Sequence, residues 1–115
     1  MDDTVIDSSL RTVEWRDNKV IMIDQTKLPN QLVFVKYDDY NQVANAIRTL
    51  VVRGAPAIGV SGAFGLALAS LQSKANTKDE LISDLEKARK ILYDTRPTAV
   101  NLKWGLDKIM KIANS

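Results

Sequence analysis

The sequence has no cysteine and no histidine. Without cysteine there is no disulfide framework, no thiolate metal site and no thiol nucleophile within these 115 residues. Without histidine, the usual zinc ligand and the commonest neutral-pH general base are both missing. An excess of one charge is missing too. The 16 Lys+Arg stand against 14 Asp+Glu, a net charge of +2. No basic cluster of the kind that grips nucleic acid is present, and no nucleic-acid partner is expected. The longest apolar stretch, Ala57–Leu71, is rich in Ala and Gly, is broken by Ser61 and Ser70, and falls short of the about 20 strongly apolar residues a membrane span needs. It reads as a buried core helix, with no membrane partner. The start, Met1-Asp2-Asp3-Thr4, is acidic and lacks the apolar stretch of a secretory signal, so the expected location is cytoplasmic. What is present is 45% hydrophobic and 26% charged residues, an ordinary globular composition. The length suffices to bury roughly two-thirds of the unfolded surface.

The first third of the chain reads as three short strands: Arg11–Trp15, Lys19–Asp24 and Leu32–Val35. Asp17-Asn18 between the first two is turn chemistry, because both residues tolerate a left-handed backbone. Gln25 to Asn30 form a loop containing Pro29. From Asp39 the period becomes helical. Asp39 with Gln42 resembles a capping box, and Val43, Ile47, Leu50 and Val51 make one apolar stripe. Gly54 stands where that helix should stop, and Pro56 suits the first turn of the next, which runs to about Ser73. Thr77-Lys78-Asp79-Glu80 is a capping box for a third helix, lined inside by Leu81, Leu85, Ala88 and Leu92 and ended by Arg96-Pro97. Thr98 is the expected cap of a fourth helix, with Leu102, Leu106, Ile109 and Ala113 inward and Lys103, Lys108 and Lys111 solvated. The predicted class is α+β: a small three-stranded antiparallel sheet over 1–36, then about four helices over 37–115.

The segment that carries most chemical information is Val52-Arg53-Gly54-Ala55-Pro56-Ala57-Ile58-Gly59. An Arg and a Gly stand just ahead of a Pro-started helix. The free N–H groups of a helix start carry partial positive charge, glycine admits close approach to the backbone, and a guanidinium beside them completes an anion pocket. The two readings are a phosphate cradle and a tight helix–helix turn with a surface arginine. Neither a P-loop nor a dinucleotide fingerprint is present. Arg96 occupies a similar junction before the fourth helix. It either converges with Arg53 on one dianion or caps the carbonyl end of the third helix. Gly59, Gly62 and Gly65 recur every three residues. Each costs ~1 kcal/mol in a helix interior against Ala, so close helix packing is the expected compensation, with ligand contact the alternative for Gly59. Asp17, Asp24, Asp38, Asp39 and Asp94 read as turn formers or caps, and Trp15 and Trp104 as core or interface anchors.

Four blocks in order, Thr12-Val13-Glu14-Trp15, Val20 to Pro29, Val52 to Gly59 and Thr95 to Leu102, resemble the N-terminal region of the methylthioribose-1-phosphate isomerases of methionine salvage. The Arg53-Gly54-Ala55-Pro56 block is shared with ribose-1,5-bisphosphate isomerases and with the regulatory subunits of translation initiation factor 2B. The Ile23–Pro29 block leans towards the first. The resemblance implies an aldose–ketose isomerisation of 5-methylthioribose 1-phosphate to 5-methylthioribulose 1-phosphate without metal or organic cofactor. It assigns substrate binding to Arg53, Gly54, Ala55 and Arg96. It places the catalytic cysteine and aspartate in a larger C-terminal Rossmann-like domain, so no catalytic residue is expected in 1–115. The chain is then an N-terminal domain, inactive alone, partnered by that C-terminal domain in a homodimer. Trp104, Leu106 and Met110 are the expected exposed apolar contacts.

Overall fold

The computed structural model describes residues 12–115. The acidic start and Arg11, expected to open the first strand, lie outside the described residues. A hairpin begins the described fold: β1 (Val13–Arg16) and β2 (Lys19–Ile23) pair antiparallel, with Arg16 opposite Lys19. Asp17 and Asn18 between them take φ of 54° and 60°, the two left-handed positions that a two-residue hairpin of this hand requires. The third strand, β3 (Phe34–Tyr37), adds antiparallel to β2. It lies further along the chain than the expected Leu32–Val35. Pairing sets Val35 opposite Met22 and Tyr37 opposite Val20, so Val35 and Tyr37 face the core while Leu32 and Phe34 are exposed. A run of four apolar residues has no alternation to fix this register.

Helix α1 spans Tyr40–Arg48 and carries the full capping box between Asp39 and Gln42. It ends before Leu50, not at Gly54. Leu50 takes a left-handed φ of 67°. The Val51 N–H then reaches back to the Ala46 carbonyl at 3.0 Å, with Leu50 N–H on Ile47, the hydrogen-bond pattern that closes a helix through a left-handed residue. Glycine usually fills that position; here leucine does.

Helix α2 (Ala55–Gln72) packs against every other helix and against β1 and β2. By length and hydropathy it is apolar enough to cross a membrane, yet α1, α3, α4 and the sheet pack on it and it buries Ile58, Leu66, Leu68 and Ala69 while Val60 and Leu71 stay exposed, which is the core-helix reading of Ala57–Leu71. Ser61 is buried and satisfied, donating to the Ala57 carbonyl at 2.7 Å. Trp15 packs on Phe64 with ring centroids 5.7 Å apart.

Helix α3 (Lys78–Thr95) starts with the Thr77 side chain accepting from the Glu80 N–H. The Glu80 carboxylate reaches back one residue further than a box requires, to the Asn76 N–H at 2.9 Å. Helix α4 (Val100–Asn114) is capped by Ala99 without a side-chain bond, so Thr98 is not its cap. Leu102 and Leu106 are fully buried, as is Leu92 on α3.

The helix directions follow from their contacts. Gly65 of α2 faces Leu92 of α3, and Ser73, which caps the end of α2, donates to Asp84, earlier in α3, at 2.6 Å; the two run antiparallel. Arg89 of α3 donates to Asp107 of α4 at 2.8 Å, and Lys78 to the Ser115 carbonyl at 2.9 Å; these run antiparallel too. So α2 and α4 are parallel, and both start at the same end of the helical layer.

Candidate anion site at two helix starts

Parallel packing of α2 on α4 demands small residues. A Cβ on Gly59 would stand 2.8 Å from the Asn101 carbonyl oxygen, and one on Gly62 2.5 Å from Leu102 Cδ1. This accounts for Gly59 and Gly62 as packing residues. Gly105, which the reading of the sequence did not single out, is a third. Its Cβ position is filled by the Gly59 backbone. A glycine inside a strongly periodic helix was the signal for it.

The linker from Leu50 to Gly54 delivers Arg53 to the start of α2. Val52 is a fully buried anchor. Gly54, the N-cap, takes φ 92° and ψ 133°, a conformation closed to side-chain-bearing residues. Among the described residues no side chain caps α2, and Pro56 sits in its first turn. The Ile58 N–H is the first to bond within the helix, to the Gly54 carbonyl. The N–H groups of Ala55 and Ala57 therefore have no partner among the described residues. Arg53, Gly54, Pro56, Ala57 and Val60, with Val13 of β1 and Thr12 just before it, line a groove of about 400 Å³. Arg53 is exposed, and among the described residues no carboxylate pairs with it.

Arg96 reaches the same end of the layer from the α3–α4 junction. It closes α3 with its backbone N–H, which donates to the Tyr93 carbonyl at 3.2 Å, while its own carbonyl accepts from Ala99. Its guanidinium makes no hydrogen bond among the described residues, so the capping alternative is met by the main chain. Among the described residues no side chain accepts from the N–H groups of Val100 and Asn101. Of the four predicted residues, Arg53 and Gly54 line the groove; Ala55 and Arg96 do not.

A second groove of about 450 Å³ lies across the ridge of Pro56 and Val60, floored by Gly59 and Gly105 and walled by Phe64 and Trp104. Trp104 is 62% exposed, with the Lys108 ammonium 4.9 Å from its ring centroid. Leu106 and Met110, expected beside it on the surface, are buried, because they point down the Leu102 face of α4 into the core. Among the described residues no group of three carboxylates could hold a metal ion. Asp94 pairs with Lys90 at 3.3 Å, and Asp24 is taken up by Thr26. The Tyr37 phenol is pushed above its ordinary value by burial and then by the Asp24 charge. None of these groups faces the Arg53 groove.

The sequence pattern of the initiation factor 2 subunit family matches residues 51–115. The methylthioribose-1-phosphate isomerase of Citrifermentans bemidjiense is 52% identical over 105 residues, covering 91% of this chain and 30% of the relative. The crystal structure of 5-methylthioribose 1-phosphate isomerase from Pyrococcus horikoshii superposes with a TM-score of 0.86 at 49% identity, covering 90% of this chain and 29% of that one. That of translation initiation factor eIF-2B, subunit delta, from A. fulgidus superposes at 0.83 with 43% identity, covering 89% and 30%. The chain thus spans about 30% of the length of these proteins.

Proposed function

This chain belongs to the initiation factor 2 subunit family, and we propose that it is the N-terminal, substrate-phosphate-binding part of an aldose–ketose isomerase that converts 5-methylthioribose 1-phosphate to 5-methylthioribulose 1-phosphate in methionine salvage. One observation carries the reading: an arginine and an uncapped, Pro-started helix face one groove, with a second arginine and a second uncapped helix start at the same end of the layer. Arg53, Gly54 and the Ala55 amide hold the phosphate, and Arg96 adds charge from the neighbouring junction. The phosphate sits on the anomeric oxygen, so the ring does not open like a free hemiacetal. Binding energy from the phosphate is what fixes the sugar for chemistry.

The groups that move protons belong to a C-terminal domain of the same protein, docked on the face that carries Val60, Val100 and Trp104, all exposed here. The piece alone is inactive, and the complete protein is a cytoplasmic homodimer. Similarity to the A. fulgidus eIF-2B subunit favours a second reading, in which the same groove senses a sugar phosphate without turning it over.

Transplanting residues 12–115 in place of the matched segment of the C. bemidjiense protein tests the choice. Conversion of 5-methylthioribose 1-phosphate by the chimera, lost on Arg53→Ala, is the expected result. A folded chimera that binds the sugar phosphate without turnover would leave the sensor reading, and one that neither binds nor converts it would remove both.

A further inference from the structure

Three successive amides at the end of β2 go to three different segments. The Ile23 N–H donates to the Thr12 carbonyl at 3.0 Å, Asp24 to Val33 at 2.8 Å and Gln25 to Val51 at 2.8 Å. Thr12 lines one wall of the Arg53 groove. Val51 opens the short run Val51-Val52-Arg53 that delivers the other wall. Both walls therefore hang from one tripeptide, part of the Ile23–Pro29 block to which the groove itself assigns no role.

Asp24 holds that tripeptide in shape. Its residue is only 8% exposed. A buried carboxylate is costly unless its lone pairs are met. Here the Oδ1 atom accepts from the Thr26 N–H at 2.9 Å and from the Thr26 hydroxyl at 2.6 Å. These bonds cap the 3-10 turn Gln25–Lys27, leaving the Gln25 amide directed outward at Val51. The receiving side is stiff. Leu50 is committed to its left-handed conformation, the Val51 N–H is tied to Ala46, and the Val52 side chain is fully buried. A displacement at Asp24 is passed along this segment to Arg53, because packed interiors transmit strain instead of absorbing it.

We propose that Asp24 is a positioning residue for the anion groove: through the Ile23 and Gln25 amides it sets the separation of the Thr12 and Arg53 walls without touching the ligand. The inference rests on the reading of the groove as a phosphate site.

The test is titration of inorganic phosphate into the 15N-labelled chain, following the amides of Gly54, Ala55 and Ala57. Asp24→Asn and Thr26→Val should each weaken phosphate binding by about fivefold, and Thr26→Ser should recover most of the loss. Amide exchange at Gln25 should speed up in the two weakened variants. Ser73→Ala, which breaks the distant bond to Asp84, controls for a general loss of stability and should leave phosphate affinity at the parent value. Faster exchange at Gln25 with parental phosphate affinity in Asp24→Asn and Thr26→Val overturns the proposal, as does equal weakening in Ser73→Ala. If the parent and Arg53→Ala both fail to bind phosphate, the phosphate reading fails. Asp24 is then judged by resonance shifts alone. Joint movement of the Thr12–Val13 and Val51–Gly54 amides in Asp24→Asn upholds the coupling of the two walls, and movement of one set without the other overturns it.

Discussion

Gly105 of α4 stands against the backbone of Gly59 of α2, so close that a side chain on Gly105 would run into the Gly59 carbonyl group. This contact sets the two helices side by side with their starts aligned. It is why two linkers far apart in sequence deliver Arg53 and Arg96 to one end of the molecule.

Gly105→Ala should therefore destabilise the fold by about 1–3 kcal/mol through overpacking, outweighing the ~1 kcal/mol that alanine gains in a helix. Gly65→Ala is the contrast. Its Cβ would meet only the ends of the Leu92 and Val43 side chains at 3.1 Å, which can yield, so its net change should stay within about 1 kcal/mol. Thermal melts decide: the first should fall by several degrees per kcal/mol, and equal melting temperatures for the two variants would refute the assignment.

Gly54→Ala probes the backbone alone, since no atom lies within 4 Å of the added Cβ. The cost is the φ of 92°, of order 1–3 kcal/mol. Asn should be no better, because the Gly54 conformation is not the left-handed helical one that Asn tolerates. Urea midpoints unchanged in both variants would show that this linker has another conformation in solution.

Arg53→Ala in the chimera should lower kcat/KM by about 10–100-fold. Arg53→Lys should recover only part, since a point charge replaces a planar fork. Arg96→Ala should fall in the same direction. Parental kinetics for both alanine variants would take the substrate away from this end of the helices.

Asp107 links α4 to α3. Its carboxyl is held below the ordinary value by hydrogen bonds from Lys103 and then Arg89. A folded-state value below the unfolded one means the stabilisation is present above about pH 4 and is lost as pH falls through the folded value. The group is largely solvated, so the contribution is about 0.2–1 kcal/mol. The stability gap between the parent and Asp107→Asn should be open at pH 6 and closed near pH 2; a gap that ignores pH would exclude the charge as its source.

Trp104→Ala should change the stability of the chain by less than about 1 kcal/mol, as expected for an exposed residue whose ring carries a surface lysine among the described residues. In the chimera the same substitution should weaken docking of the C-terminal domain and reduce turnover. A large loss of stability in the chain alone would make Trp104 a core residue instead.

Much of this fold is written locally. Asp17-Asn18 names its turn, Asp39 with Gln42 names its cap, and Leu85, Ala88 and Leu92 name a buried face. The failures have physical causes. Leu50 and Val51 continue the α1 stripe, but a leucine in the left-handed region leaves no mark in the sequence, so the helix looks longer than it is. Phe34 is as apolar as Val35, and only the pairing of Val35 with Met22 decides which of them faces in. The Arg53 segment is legible as an arginine beside a Pro-started helix because glycine, proline and arginine each have a local reason to be there. That Arg96 lies at the same end follows from two antiparallel helix packings in succession, a matter of topology that no short window contains. The link from Asp24 to the Arg53 linker depends on a hydrogen bond between backbones far apart in the chain, and for that reason it is invisible before the fold is known.

The apolar surface that α2 buries against its neighbours has a consequence during synthesis. The helix leaves the ribosome before α3 and α4 exist, and it presents a surface greasy enough for a bilayer until those two helices emerge to cover it. For that interval the nascent chain should be prone to self-association through the exposed apolar surface. Slowing translation between Ser73 and Val100 should lengthen the hazard, and supplying α3 and α4 early, by circular permutation, should shorten it.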